Sequence, residues 1–126
     1  MQTPMDIDAE PGEHGRPLVA RVRADRIDAA AAIAFKEGMR TVLEQPGAPV
    51  ILDMGAVDFL DSSGLGAVVA VRKLAGPERP LELAALRPSV ARVFRLTRMD
   101  RVFTLHDTAP PAPPDARGSS CPADDR

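Results

Sequence analysis

The chain has 126 residues, 44% of them hydrophobic and 27% charged, with a formal net charge of -2, which suits a single domain with one ordinary core. The near-neutral balance and the absence of Trp and Tyr argue against direct DNA or general nucleic-acid binding, since there is neither a basic excess nor a stacking platform. No stretch approaches the roughly 20 apolar residues of a membrane span, and the acidic start MQTPMDIDAEPGEHG lacks the parts of a signal peptide, so a cytoplasmic location without membrane contact is expected.

Residues 1–4 are expected to form a flexible N-terminus. Met5 and Ile7 alternate with Asp6 and Asp8, Pro11, Gly12 and Gly15 interrupt, and Leu18, Ala20 and Val22 then alternate with charged neighbours, which predicts two strands joined by a turn. From Asp28, the segment DAAAAIAFKEGMRTVLEQ is Ala-rich and carries Ile33, Phe35, Met39, Val42 and Leu43 at broadly helical spacing. It predicts a helix with Asp28 as N-cap, ending before Pro46-Gly47.

Val50 to Met54 form a nearly continuous apolar run, as in a central strand covered on both faces. The loop GAVDFLDSS and an apolar helix GLGAVVAVRKLA follow, with Arg72 and Lys73 near the helix's negative end. Leu81, Leu83 and Leu86 predict another strand. Pro88 suits the first turn of a helix whose apolar side is Val90, Val93, Phe94 and Met99, and Val102, Phe103 and Leu105 make a short closing element.

Alternating strands and helices predict an α/β fold: a mostly parallel sheet, antiparallel only at its N-terminal strand, covered by helices. No internal repeat is visible. The folded domain is expected over residues 5–107. Residues 108–126 hold Pro110, Pro111, Pro113, Pro114 and Pro122 without one Val, Ile, Leu, Met or Phe, and are expected to be a disordered tail. The lone Cys121 lies there, so no intramolecular disulfide can form.

The segment VILDMGAVDFLDSSGLGAVVAV, residues 50–71, places a buried strand, a short loop, Asp61-Ser62-Ser63-Gly64-Leu65-Gly66 and an apolar helix in order. It closely resembles the STAS domain of anti-sigma factor antagonists, with supporting matches in ADRIDAA at 24–30 and LRPSVARVFRLTRMDRVFTL at 86–105. Asp25 departs from the family's usual glycine and Ile27 from its commoner leucine; the former bears on a turn where glycine would permit positive φ.

The resemblance implies a STAS-like fold and a switch. Ser62, directly after the aspartate, corresponds to the serine that the family phosphorylates. The implied partner-binding face comprises Asp28, Asp58, Asp61, Ser62, Ser63, Gly64, Leu65 and Gly66. The implied partners are an anti-sigma factor with GHKL-type serine kinase activity, bound by the unphosphorylated protein and released by phosphorylation, and a PP2C-type phosphatase that restores it. Sigma-factor availability would follow the state of Ser62, with no catalytic residue in this chain. Physically, Asp61 or Ser62 would cap the helix, Ser63 would hydrogen-bond at its start, and Gly64 and Gly66 would leave the loop open to approach.

Other chemistry is poorly supplied. Gly64-Leu65-Gly66 fails the dinucleotide fingerprint because Val69 occupies the third small position, and no phosphate-binding GxxxxGK[ST] occurs. A hydrolase would need a base near its serine, yet the only histidines are His14 and His106, and no GxSxG elbow exists. No metal-ligand spacing is present, and no cofactor is expected. Arg87, Arg92, Arg95, Arg98 and Arg101 load the last helix with charge that would attract an acidic partner, a membrane surface or nucleic acid, but solvation of an exposed helix face explains it and is the reading preferred. Two alternatives remain: a phosphorylation-independent STAS accessory subunit of an ATPase, such as a lipid-transport ABC complex, and a weak nucleotide-dependent enzyme. A monomer is the expected state.

Overall fold

The computed structural model describes residues 6–108. Strand β1 (Ile7–Glu10) pairs antiparallel with β2 (Leu18–Val22). Beside β2 lie, all parallel, β4 (Val50–Asp53), β6 (Leu81–Ala84) and β7 (Leu105–His106), in the order β1-β2-β4-β6-β7. The expected mixed sheet with one antiparallel N-terminal strand is therefore observed. A second, two-stranded parallel ribbon pairs β3 (Arg26–Ile27) with β5 (Phe59–Leu60), inside stretches read from sequence as turn and loop. Two residues are too few to show any period, which is why pattern alone misses them.

The pleat sorts the side chains. Leu18, Ala20, Val22, Val50, Leu52, Leu81 and Leu83 point to one face and join the main core with the helices. Helix α1 (Ala29–Val42) buries Ala32, Phe35, Met39 and Val42 at steps of three and four. Helix α2 (Ser62–Ala75) buries Gly64, Ala67, Val68 and Val71, and α3 (Pro88–Leu96) buries Val90 and Phe94. Each buried Leu, Val or Phe contributes about 1.5–3 kcal/mol.

The other face was expected to carry equivalent cover for β4. It instead holds a small cluster of strand residues alone, Val19, Ile51 and Ala84. Charge occupies the alternate positions: Arg21 bridges Glu10 and Asp53 at 3.3 and 3.4 Å, and His106 Nε2 lies 2.7 Å from Glu82 Oε1.

Several boundaries move. Helix α1 stops at Val42 rather than Gln45, because Glu44 and Gln45 donate to Thr41 and Val42 in a tight closing turn. There Arg79 donates to the carbonyls of Leu43 (2.8 Å), Gln45 (2.6 Å) and Gly47 (3.0 Å), satisfying groups that a helix end leaves open. Strand β6 ends before Ala85, whose φ of 62° breaks the extended run, so Leu86 is outside it. Met99 belongs to a short 3-10 helix (Met99–Arg101), set off from α3 by Arg98 at φ 63°. The expectations for residues 1–4 and for the tail beyond Thr108, Cys121 included, lie outside the described residues.

Candidate functional site

The short β3–β5 ribbon builds the site. Arg26 sits beside Phe59 and Ile27 beside Leu60, so the next residue of each strand, Asp28 and Asp61, begins α1 and α2 side by side. Ile27 and Leu60 are buried, while Arg26 and Phe59 are exposed and the two aspartates half-buried. The caps are near copies. Asp28 has φ, ψ of -105°, -170° and accepts from Ala31 N at 3.0 Å; Asp61 has -102°, -170° and accepts from Gly64 N at 2.9 Å. The sequence thus holds a short repeat that inspection missed: Asp25-Arg26-Ile27-Asp28-Ala29-Ala30 against Asp58-Phe59-Leu60-Asp61-Ser62-Ser63. The two halves are stitched by Asp58 N donating to Asp25 O at 2.8 Å.

Asp61, not Ser62, is therefore the N-cap, and Ser62 and Ser63 are the first two residues of α2 rather than a loop before it. Both are exposed, and neither hydroxyl has a hydrogen-bond partner among the described residues, so the bond expected of Ser63 is not made. Their backbone N–H groups occupy the turn that has no intrahelical acceptor and carries partial positive charge.

The two glycines part company. Gly64 was assigned to the approached surface, yet it is buried, and a Cβ there would stand 2.0 Å from the Ile27 carbonyl oxygen. Its requirement is internal: α2 lies against β3 at a distance only glycine allows. Gly66 is exposed, with nothing within 4 Å of a Cβ position. Leu65 is half-buried against the core.

Asp58 is exposed, and its backbone is held from two sides, since its carbonyl also accepts from Ser89 Oγ at 2.8 Å. Arg87 Nε donates to Gly55 O at 2.8 Å, so the start of α3 braces the loop leading to Ser62. Asp25 is exposed and lacks positive φ, so the turn does not need the glycine that the resemblance implied.

Two residues were missed. Phe59 is 42% exposed, and the Arg26 guanidinium lies 4.8 Å from its ring centre while Arg26 Nε bonds Asp28 Oδ2 at 3.0 Å. A phenylalanine between buried Val57 and Leu60 and flanked by carboxylates was the available signal. Asp28's pKa is lowered, chiefly by the Ala31 N–H bond, which outweighs the desolvation that raises it, with Arg26 lowering it further.

Among the described residues no three His, Cys, Asp or Glu side chains group as metal ligands, and no helix is long and apolar enough to cross a membrane. A cavity of about 370 Å³ lies against the C-terminal end of α2, lined by Arg72, Lys73, Glu82 and Thr104 among others, and includes none of the predicted site residues. His14 is exposed in its turn, and His106, on β7, lies 2.7 Å from Glu82.

The STAS domain family matches residues 8–112. A STAS-domain containing protein of Pseudomonas aeruginosa (strain UCBPP-PA14) is 28% identical over 102 residues, covering 80% of this chain and 99% of that protein. The crystal structure of an anti-sigma factor antagonist from Mycobacterium paratuberculosis is 28% identical with a TM-score of 0.67, over 86% of this chain and 92% of that one. The anti-sigma factor antagonist SpoIIAA in its unphosphorylated form is 20% identical with a TM-score of 0.63, over 82% and 89% of the two chains; at that identity the likeness concerns the fold.

Proposed function

Because the chain belongs to the STAS domain family, we propose that it is an anti-sigma factor antagonist whose hold on its partner is governed by phosphorylation of Ser62. One observation carries the reading: Ser62 presents an exposed, unpartnered hydroxyl at the first position of α2, directly after the capping Asp61.

In the unphosphorylated state the face made by Asp28, Asp58, Asp61, Ser62, Ser63, Leu65 and Gly66 docks an anti-sigma factor that is also a GHKL-type serine kinase, and so releases a sigma factor. The kinase then brings ATP to the same serine. Ser62 Oγ attacks the γ-phosphorus, its proton passes to a base on the kinase, and ADP leaves; a PP2C-type phosphatase later hydrolyses the ester. Every catalytic group belongs to a partner.

Phosphate adds about -1.5 to -2 charges beside Asp58 and Asp61. The fold tolerates this, because the helix N-terminus offers free N–H groups. The complex does not, because the new charge must be stripped of water against the partner and meets nearby carboxylates. A penalty of about 3 kcal/mol lowers affinity more than a hundredfold.

The test is a comparative pull-down from the host with Ser62→Ala and Ser62→Asp baits. Retention of a GHKL-type kinase by the alanine bait and its loss from the aspartate bait supports the switch. Equal retention of a transporter ATPase by both replaces it with the accessory-subunit role.

A further inference from the structure

Residues 87–101 carry five arginines and one acid, Asp100, a net +4; with -2 for the whole chain, the remainder carries -6. Several arginines elsewhere are matched: Arg21 with Glu10 and Asp53, Arg23 with Asp8, Arg26 with Asp28, and Arg79 with three carbonyls. Arg92, Arg95, Arg98 and Arg101 are exposed, and among the described residues none of their guanidinium groups has an ion pair or hydrogen bond.

The same stretch carries exposed apolar side chains. Val90 and Phe94 fix the buried side of α3, which sends Arg92, Arg95 and Leu96 outward at helical spacing. Leu96 is 72% exposed, and Val102, just past the turn at Arg98, is 40% exposed. Phe103 packs edge-on to Phe94 at 5.8 Å and holds that turn against the helix.

We propose that the end of α3 and the following turn form a docking tip for an anionic phospholipid surface. The cations are all arginine, whose planar fork pairs with phosphate oxygens in two bonds at once. The stretch is a helix end and a turn, with Leu96 outward and Val102 at the edge of the cavity beside α2. A lipid headgroup layer receives both guanidinium groups and a leucine without a matching shape, whereas an acidic protein surface would have to provide a receptor for Leu96. The opposite end of α3 braces the Ser62 loop through Arg87 and Ser89. Nine residues of helix place Leu96 roughly 13 Å farther along, so a membrane-docked molecule keeps Ser62 free. The tip stands independently of the switch at Ser62, and it revises the sequence expectation of no membrane contact to peripheral binding.

The test is co-sedimentation of the full chain with vesicles of phosphatidylcholine containing roughly a third phosphatidylserine, at low and high salt. Binding at low salt, loss at high salt and no binding to phosphatidylcholine alone are expected. Arg92→Glu/Arg95→Glu should lower partitioning by roughly tenfold or more, and Leu96→Ser severalfold, each with an unchanged circular dichroism melt. Failure of the unaltered chain to sediment at low salt overturns the proposal, as does full binding by the double variant. Capture by a polyglutamate peptide without vesicle binding also overturns it, in favour of an acidic protein partner. Neither variant touches Ser62, so retention of the kinase by the alanine bait is read separately.

Discussion

Gly64→Ala and Gly66→Ala make the same chemical change two residues apart in one helix and should move stability in opposite directions. At Gly64 the methyl group would lie 2.0 Å from the Ile27 carbonyl oxygen and 3.0 Å from its carbon, both backbone atoms that cannot rotate away. Restoring an ordinary contact of about 3.4 Å means withdrawing α2 from β3 by about 1.4 Å (3.4 less 2.0), which also loosens the buried Ile27. A backbone contact this short puts the overpacking cost near the upper end, about 3 kcal/mol, and alanine's helix preference offsets ~1 kcal/mol of it, so Tm should fall by roughly 8–15 °C. At Gly66 only the helix preference acts, and Tm should rise by about 3–6 °C. Thermal melts followed by circular dichroism, with urea titrations to check that the m-value is unchanged, measure both. If Gly64→Ala proved as stabilising as Gly66→Ala, the close approach of α2 to β3 would be wrong, and the geometry of the Ser62 platform with it.

Arg79→Met should cost about 2 kcal/mol or more by opening three carbonyls at the end of α1, and Arg79→Lys should recover less than half of that, because an ammonium lacks the fork that spans them; urea titrations of the three proteins decide it. Asp28 has a lowered folded-state pKa, so its stabilising contribution is complete above the ordinary carboxylate value of 3.8 and is lost as pH falls through the lowered value. Asp28→Asn should accordingly flatten the acid limb of a Tm-against-pH curve; an unchanged limb would show that the cap's charge contributes nothing.

The strands of the main sheet were legible because alternation at Leu18-Ala20-Val22 and the run at Val50–Leu52 report burial directly. The helices were legible because 32, 35, 39 and 42 recur at helical spacing. The candidate serine was singled out through Asp61-Ser62-Ser63-Gly64 and its flanks, and the structure places it at the start of α2. What escaped was relational. The ribbon of β3 and β5 is too short for a pattern, Gly64 serves a carbonyl 37 residues earlier, and Arg79 serves carbonyls 32 to 36 residues earlier. Such partners are set by the fold after it closes, and no local window contains them. The charged face of the sheet escaped for another reason: Arg21, Asp53 and Glu82 look like ordinary surface residues until their neighbours are known.

The matched helix starts give the molecule a control of its own. Asp28 and Asp61 share torsions and capping bonds, and each follows a buried aliphatic residue of the same ribbon, yet Ala29 and Ala30 stand where the other start has Ser62 and Ser63. The two starts therefore share a backbone frame, and only the second places hydroxyls on it. Their surroundings differ as well: the Arg26 guanidinium lies over the Phe59 ring, and Ser89 grips the backbone of Asp58, while no such bond is made to Asp25 among the described residues.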